Sequence, residues 1–264
     1  MKSPPGTVLR MREKMADKPM IMTGHSVRAL LEGRKTQTRR VLKPQPEPWR
    51  DFHLEGGCQI GDWKFETGLR TEDGKHHRFG LWMHSAFHES RFQLLPYAPG
   101  DRLWVKETFV IETSQEVGWL DPPFNDGRPI KVVNDQPEWG QFWCQPHYRA
   151  TDPTPDLYSD DDPGEPVCRW TSPIFMPRWA SRLTLIVTDV CVQRVQDISE
   201  ADAQAEGVRR SHAGGPWGEE GLIEDYADLW NNINAKRGYG WDENPWVAAL
   251  TFKVDPHNID VLGD

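Results

Sequence analysis

No apolar run in this sequence is long enough to cross a bilayer, so a protein anchored by membrane-spanning helices is excluded. The first residues lack the uninterrupted apolar core of a signal peptide, which predicts a cytoplasmic location. Cysteine is scarce: Cys58, Cys144, Cys168 and Cys191 are far apart and form no C-x-x-C pair. Reduced thiols are expected, not a disulfide framework. The G-x-S-x-G, P-loop, H-E-x-x-H and G-x-G-x-x-G patterns are all missing, which removes the signatures of four common enzyme classes. Positive charge is also the minority, with 31 Lys and Arg against 40 Asp and Glu and a net charge of −9. Such a balance argues against a surface built wholly for polyanions, although a local patch can still hold a phosphate. No internal repeat or long low-complexity tract occurs.

What is abundant is tryptophan and proline, 13 and 22 in 264 residues, a mixture that suggests aromatic anchors among long irregular connections. Against this background one stretch stands out, SVRALLEGRKTQTRR from Ser26 to Arg40. Ser26 reads as a helix N-cap, because its hydroxyl can accept from first-turn amides. Val27, Leu30 and Leu31 give one apolar stripe. Gly33 reads as the stop, in the left-handed conformation that glycine adopts without steric cost. Thr36, Thr38 and Val41 then favour extended chain, so Lys35 and Thr38 leave a helix-to-strand corner. Between Arg28 and Lys43 six basic residues face the single acid Glu32, a local excess of +5.

Residues 1–19 are charged, contain Pro4 and Pro5 and show no apolar period, which predicts a mobile tail. Met20–Met22 reads as a short strand. After Lys43 the PQPEP run cannot enter a central sheet, since proline has no amide donor. Residues 45–98 read as a long insertion with room for a small hairpin of its own. Pro99-Gly100-Asp101 is a turn that opens the strand RLWVKETFVI. Residues 112–146 read as a loop with a possible strand at 129–133, and His147–Ala150 as a short strand. Residues 152–166, dense in aspartate and proline, read as a solvated loop within an insertion reaching 176. MPRWASR (176–182) leads into LTLIVTDVCVQRV, the strongest strand signal in the chain. Ser199 caps a helix with Asp202 at the capping-box position and Gly207 as its stop. Residues 208–220 are a glycine-rich loop. Leu222–Lys236 is a helix with Ile223, Tyr226, Leu229, Trp230 and Ile233 on one face, ending at Gly238, and WVAALTFKV is the closing strand. Helices and strands do not alternate as a doubly wound fold requires. The expectation is α+β, one small sheet or barrel with flanking helices over residues 20–264, swollen by loops.

Few groups suggest chemistry. His84 and His88, with Cys58 upstream, would form a conceivable metal site, but loop histidines are the simpler reading, and neither metal nor cofactor is expected. Tryptophans can stack bases, although packing accounts for most of them. Lys35 and Thr38 carry more. A hydroxyl needs a base to attack, and lysine serves as one only with a lowered pKa. Arg34, Arg39 and Arg40 beside it, with partial burial, would lower it. The alternative is a basic face that binds phosphate or nothing.

The run Gly33-Arg34-Lys35-Thr36-Gln37-Thr38-Arg39-Arg40 resembles the G-x-K-x-x-[ET]-x-R signature of the ASCH family in the PUA-like superfamily. A preceding helix, the Gly100-Asp101 turn and the later ISEADAQAEG helix agree with it. The patterns EGRKTQTRR, GDRLWVKE, MPRWASR and NPWV resemble, in order over residues 20–254, the long phage- and prophage-encoded ASCH-like proteins. The resemblance implies a PUA-like β-barrel. It also implies a site. In the small bacterial N4-acetylcytidine amidohydrolases of this family, a lysine, a threonine and a glutamate remove acetate from the modified base or nucleoside without metal. Their lysine and threonine match Lys35 and Thr38, and the glutamate at the end of the helix after the long strands matches Glu206. Arg40 matches the signature arginine. This chain is far longer, and its insertions can cover or reshape the pocket.

Two functions follow from the resemblance. In one, an amidohydrolase acts on an acylated nucleobase, nucleoside or related small amide, with Thr38 attacking, Lys35 as base, Glu206 assisting proton transfer and Arg40 orienting. In the other, a module binds RNA, DNA or a modified nucleotide without turnover. Either way the expected partner is a modified nucleoside or nucleic acid and no membrane. The expected ligand contacts are Gly33, Arg34, Arg39 and Arg40, joined by Arg178, Trp179 and Arg182 from the MPRWASR pattern. A phage assembly or interaction protein would explain the insertions but not the three catalytic residue types.

Overall fold

A computed structural model describes residues 17–46, 64–72, 76–84, 90–113, 127–133, 142–155, 158–159, 162–166, 169–209 and 221–261. Its centre is a five-stranded sheet in the order β1 (Asp17–Ile21), β6 (Arg102–Lys106), β12 (Thr184–Arg194), β13 (Trp246–Asp255), β2 (Gln37–Val41). β1 runs parallel to β6, whereas β12 pairs antiparallel with β6 and along ten positions with β13, from Thr184 opposite Asp255 to Arg194 opposite Trp246. β-Branched residues fill β12, as such a doubly paired strand requires. Three smaller sheets surround it: β3 (Lys64–Glu72), β4 (His76–His84) and β5 (Ser90–Leu94); β7 (Phe109–Thr113), β9 (Phe142–Tyr148) and β8 (Lys131–Val133); and the pair β10 (Tyr158–Ser159) and β11 (Asp162–Pro166).

The alternation of β13 divides the core in two. Ala248, Leu250 and Phe252 join Leu103, Val105 and Leu185, together with Val27 and Leu30 of α1 (Gly24–Leu31). Val247 points to the other face, where it meets Ala203 of α2 (Glu200–Ala205) and Tyr226 and Trp230 of α3 (Leu222–Asn234). Both faces of this strand are therefore covered, which explains its nearly continuous apolar run.

The fold is mixed α and β, but the expected barrel does not close among the described residues. β1 and β2 are the two edges of the large sheet and do not pair with each other. Pro19 leaves β1 without one ladder donor, and a side chain occupies the seam: Arg40 Nη2 donates to the Ile21 carbonyl at 2.6 Å.

Several local expectations change. The cap of α1 is Thr23, not Ser26. Thr23 is extended (ψ 158°) and accepts from the Ser26 amide at 3.2 Å, because the helix begins two residues before Ser26. Residues 17–19, assigned to the tail, belong to β1, where Lys18 pairs with Asp101 at 2.6 Å; residues 1–16 lie outside the described residues. The 45–98 insertion carries a three-stranded sheet. The 152–166 loop contains the short β10–β11 pair, and Pro166 sits at its end, where no ladder donor is needed. The strand expected after Asp101 is split: β6 stays in the large sheet while β7 pairs with β9. The 210–220 part of the glycine-rich loop lies outside the described residues.

Candidate functional site

Gly33 ends α1 with φ +70°, and the chain turns directly into Lys35. Lys35 is then gripped by backbone on two sides. Its amide donates to the Ala29 carbonyl at 3.0 Å, and it forms an isolated antiparallel bridge with Glu206. The next amide, Thr36, donates to the Ala205 carbonyl at 2.8 Å, and Thr36 in turn accepts from the Phe252 amide. Glu206 is delivered by α2, whose capping box on Ser199 and Asp202 is as expected. Gly207 follows with φ +86°, and a Cβ there would lie 2.7 Å from the Ala29 Cβ and 3.2 Å from the Lys35 Cβ. Glycine is thus required twice over, for its dihedral and for the close approach of α2 to α1.

This backbone frame brings together side chains 171 positions apart. Lys35 Nζ donates to Glu206 Oε2 at 2.6 Å and to the Glu206 carbonyl at 2.9 Å. Arg39 Nη1 lies 3.3 Å from Glu206 Oε1, and Arg39 Nη2 lies 3.2 Å from Asp202 Oδ2. Lys35, Thr38, Arg39 and Glu206 are all buried. Burial pushes the Lys35 amine below its ordinary value, the Glu206 charge opposes this, and Arg40 and Arg39 add to the depression. At Asp202 burial works upward, but the Ser199 hydrogen bond and the Arg39 charge prevail and hold the carboxyl low. Lys35 and Arg39 thus approach the same Glu206 carboxylate from its two oxygens.

The group opens on a cavity of about 730 Å³ in the gap between β1 and β2. Lys35, Thr38, Arg39, Arg40 and Glu206 line it, with Ile21 and Met22 at the end of β1. Aromatic surface comes from Tyr97, Tyr226, Trp230 and Tyr239. Tyr226 and Trp230 pack at a 38° interplanar angle with centroids 6.2 Å apart, and Trp230 Nε1 donates to the Tyr239 carbonyl. Burial, reinforced by the Glu206 charge, raises the Tyr226 hydroxyl well above the ordinary tyrosine value, so it stays a protonated donor. Among the described residues no hydrogen bond holds the Thr38 hydroxyl, and the Nε donors of Arg39 and Arg40 are buried without a partner.

The expected ligand contacts divide. Arg39 and Arg40 line the cavity, but Gly33 and Arg34 do not: they border a separate concavity with Thr36 and Ala205. Arg34 is engaged by Glu32 at 2.6 Å and by the Gly207 carbonyl at 2.6 Å, which fixes the corner. Arg178, Trp179 and Arg182 also lie outside the cavity lining. Arg178 clamps Asp17 and Asp260, both at 2.6 Å. Trp179 packs beside Phe109, Tyr148, Met176 and Ala180. Arg182 makes a two-pronged pair with Glu107, at 2.8 and 3.0 Å, and its guanidinium sits 3.9 Å from the centre of the Tyr148 ring. Both arginines of this run are thus held by carboxylates of the fold, and Trp179 packs against an apolar cluster. Tyr97, Lys43, Asp202, Tyr226, Tyr239 and Arg237 were not foreseen. Asp202 was legible only as a cap and Tyr226 only as a member of an apolar helix face.

No protein-family model, curated protein or solved structure matches the chain. Among the described residues no cluster of three or more His, Cys, Asp or Glu side chains suits a metal ion, and Cys58 and His88 lie outside those residues.

Proposed function

We propose that this chain is a metal-independent amidohydrolase with a PUA-like, ASCH-type site, removing the acyl group from an N-acylated nucleobase or nucleoside of the N4-acetylcytidine kind. One observation carries the reading: the buried Lys35 Nζ–Glu206 Oε2 contact of 2.6 Å borders the same cavity as Thr38, whose hydroxyl is not held elsewhere among the described residues. The ASCH resemblance nominated these three residues, and their joint presence at one cavity supports it.

The chemistry runs in two halves. Neutral Lys35 takes the Thr38 proton as Oγ1 attacks the amide carbonyl carbon, and the carbonyl electrons move to oxygen. Arg40, fixed in the β1–β2 seam, offers positive charge to that oxyanion. Collapse breaks the C–N bond, Lys35 returns its proton to the departing amine, and an acyl ester remains on Thr38. Water then attacks the ester with Lys35 again as base, releasing the carboxylic acid and restoring Thr38. Glu206, held by Arg39, orients the amine and stabilises its protonated form between the steps. The aromatic lining provides flat apolar surface for a base.

Binding without turnover is the second reading, favoured by the arginine-rich lining of the cavity. The deciding experiment is acetate release from a panel of N-acylated nucleosides, with Thr38→Ala as control. Hydrolysis by the wild type alone supports the enzyme; equal rates for both proteins leave only the binding module.

A further inference from the structure

The cations lining the cavity fall into two sets. Lys35 and Arg39 are neutralised by Glu206 and Asp202. Arg40, Lys43 and Arg237 are not: among the described residues none of them has a carboxylate within ion-pair distance. Arg40 Nη2 donates to the Ile21 carbonyl and to Met22 Sδ, and its Nε has no partner among the described residues. Lys43 rests its ammonium 5.0 Å from the centre of the Tyr239 ring, a contact that positions the charge without cancelling it. Glu206, already committed to Lys35 and Arg39, is the only carboxylate in the cavity lining among the described residues. In a chain with a net charge of −9, the lining of this cavity is locally positive, with Lys35, Arg39, Arg40, Lys43 and Arg237 against Glu206 among the described residues.

Like charges held together without a counterion repel, and the arrangement is relieved by an anion seated among them. Arginine and lysine together match a phosphate: the guanidinium supplies paired donors and the ammonium a point charge. We infer that the cavity takes a phosphorylated ligand, an N-acylated nucleoside monophosphate, with its phosphate between Lys43 and Arg237 while Arg40 faces the acyl oxygen. The inference rests on the amidohydrolase reading for the acyl group but not for the phosphate. A single nucleotide suits the site better than a strand, because the three cations share one cavity in an otherwise acidic molecule.

The test is isothermal titration of the full-length Thr38→Ala protein, in which ligand is not consumed, with N4-acetylcytidine, its 5′-monophosphate and a 20-nucleotide oligocytidylate at two salt concentrations. The monophosphate is expected to bind about ten-fold or more tighter than the nucleoside. Adding Arg237→Gln or Lys43→Met, both at exposed positions, should shrink that ratio several-fold. Equal affinities for nucleoside and monophosphate, or no binding of either, overturn the inference. So does an oligonucleotide that binds more tightly than the monophosphate with a steep salt dependence, which would assign the cations to a strand. If the wild type releases no acetate from any probe while the phosphate preference persists, the amidohydrolase reading fails and the phosphate site stands.

Discussion

Lys35 and Glu206 meet three times, through an antiparallel backbone bridge, a 2.6 Å side-chain ion pair and a 2.9 Å hydrogen bond from Lys35 Nζ to the Glu206 carbonyl. The backbone bridge removes most of the freedom that long side chains would otherwise lose on pairing. Their separation is therefore fixed by the fold and not by the charges alone.

Removing one partner should be costly because both are buried. Glu206→Ala leaves Lys35 and Arg39 without their shared carboxylate, and we expect a loss of about 3–5 kcal/mol in urea unfolding. Adding Lys35→Met should recover part of that loss, since the uncompensated charge is then gone. A Glu206→Ala protein within about 0.5 kcal/mol of wild type would contradict the buried-pair account.

The pH dependence has a definite sign. Burial holds the folded-state pKa of Lys35 below the ordinary 10.5. Between the folded value and 10.5 the unfolded chain binds more protons, so this group makes the fold more stable as pH rises through that window. Lys35→Met should remove that rise from the stability profile. If the proposed hydrolysis occurs, kcat/KM should climb with pH to a plateau reached below 10.5, because the proposed base is neutral Lys35. Lys35→Arg should abolish turnover, as arginine stays protonated. The absence of any rising rate limb below pH 10.5 would remove Lys35 as the base.

Two glycines with similar dihedrals should behave differently. Gly33 (φ +70°) faces open space, so Gly33→Ala should cost about 1 kcal/mol for the left-handed conformation alone. Gly207 (φ +86°) has Ala29 and Lys35 against it, so Gly207→Ala should cost more than about 2 kcal/mol and also disturb the Lys35–Glu206 contact. Thermal unfolding of both variants checks this; equal losses would mean the close approach is relieved at no cost.

Arg182 separates the fold from the site. Glu107 is almost wholly buried beneath it, and burial raises the Glu107 carboxyl even as Arg182 lowers it. Arg182→Leu should therefore cost about 3–5 kcal/mol in stability. At a temperature where it remains folded, its KM should match wild type, whereas Arg40→Gln should raise KM. A KM change confined to Arg182→Leu would return this residue to the binding surface.

The sequence carried the elements whose signals are local. β12 announced itself through consecutive β-branched residues, α2 through Ser199 and Asp202, and the end of α1 through Gly33. The cap of α1 was misread because Thr23 and Ser26 are equivalent as residue types, and only the backbone path shows which one is extended. The contacts of the MPRWASR run were not legible for a related reason. Arginine and tryptophan look alike in a sequence whether they await a ligand or already hold Asp17, Asp260 and Glu107.

The chain by itself determined which residue types stand at the helix-to-strand corner and that an α+β fold surrounds them, because periodicity, capping and turn residues act over a few positions. Only the tertiary structure decided that Glu206 reaches Lys35, that Arg39 is consumed by Asp202 and Glu206, and that Arg40, Lys43 and Arg237 share one cavity without an ion pair among the described residues. Those facts depend on how β2, α2 and α3 pack against β13. Packing fixes distances between side chains far apart in the chain, and no local pattern encodes them.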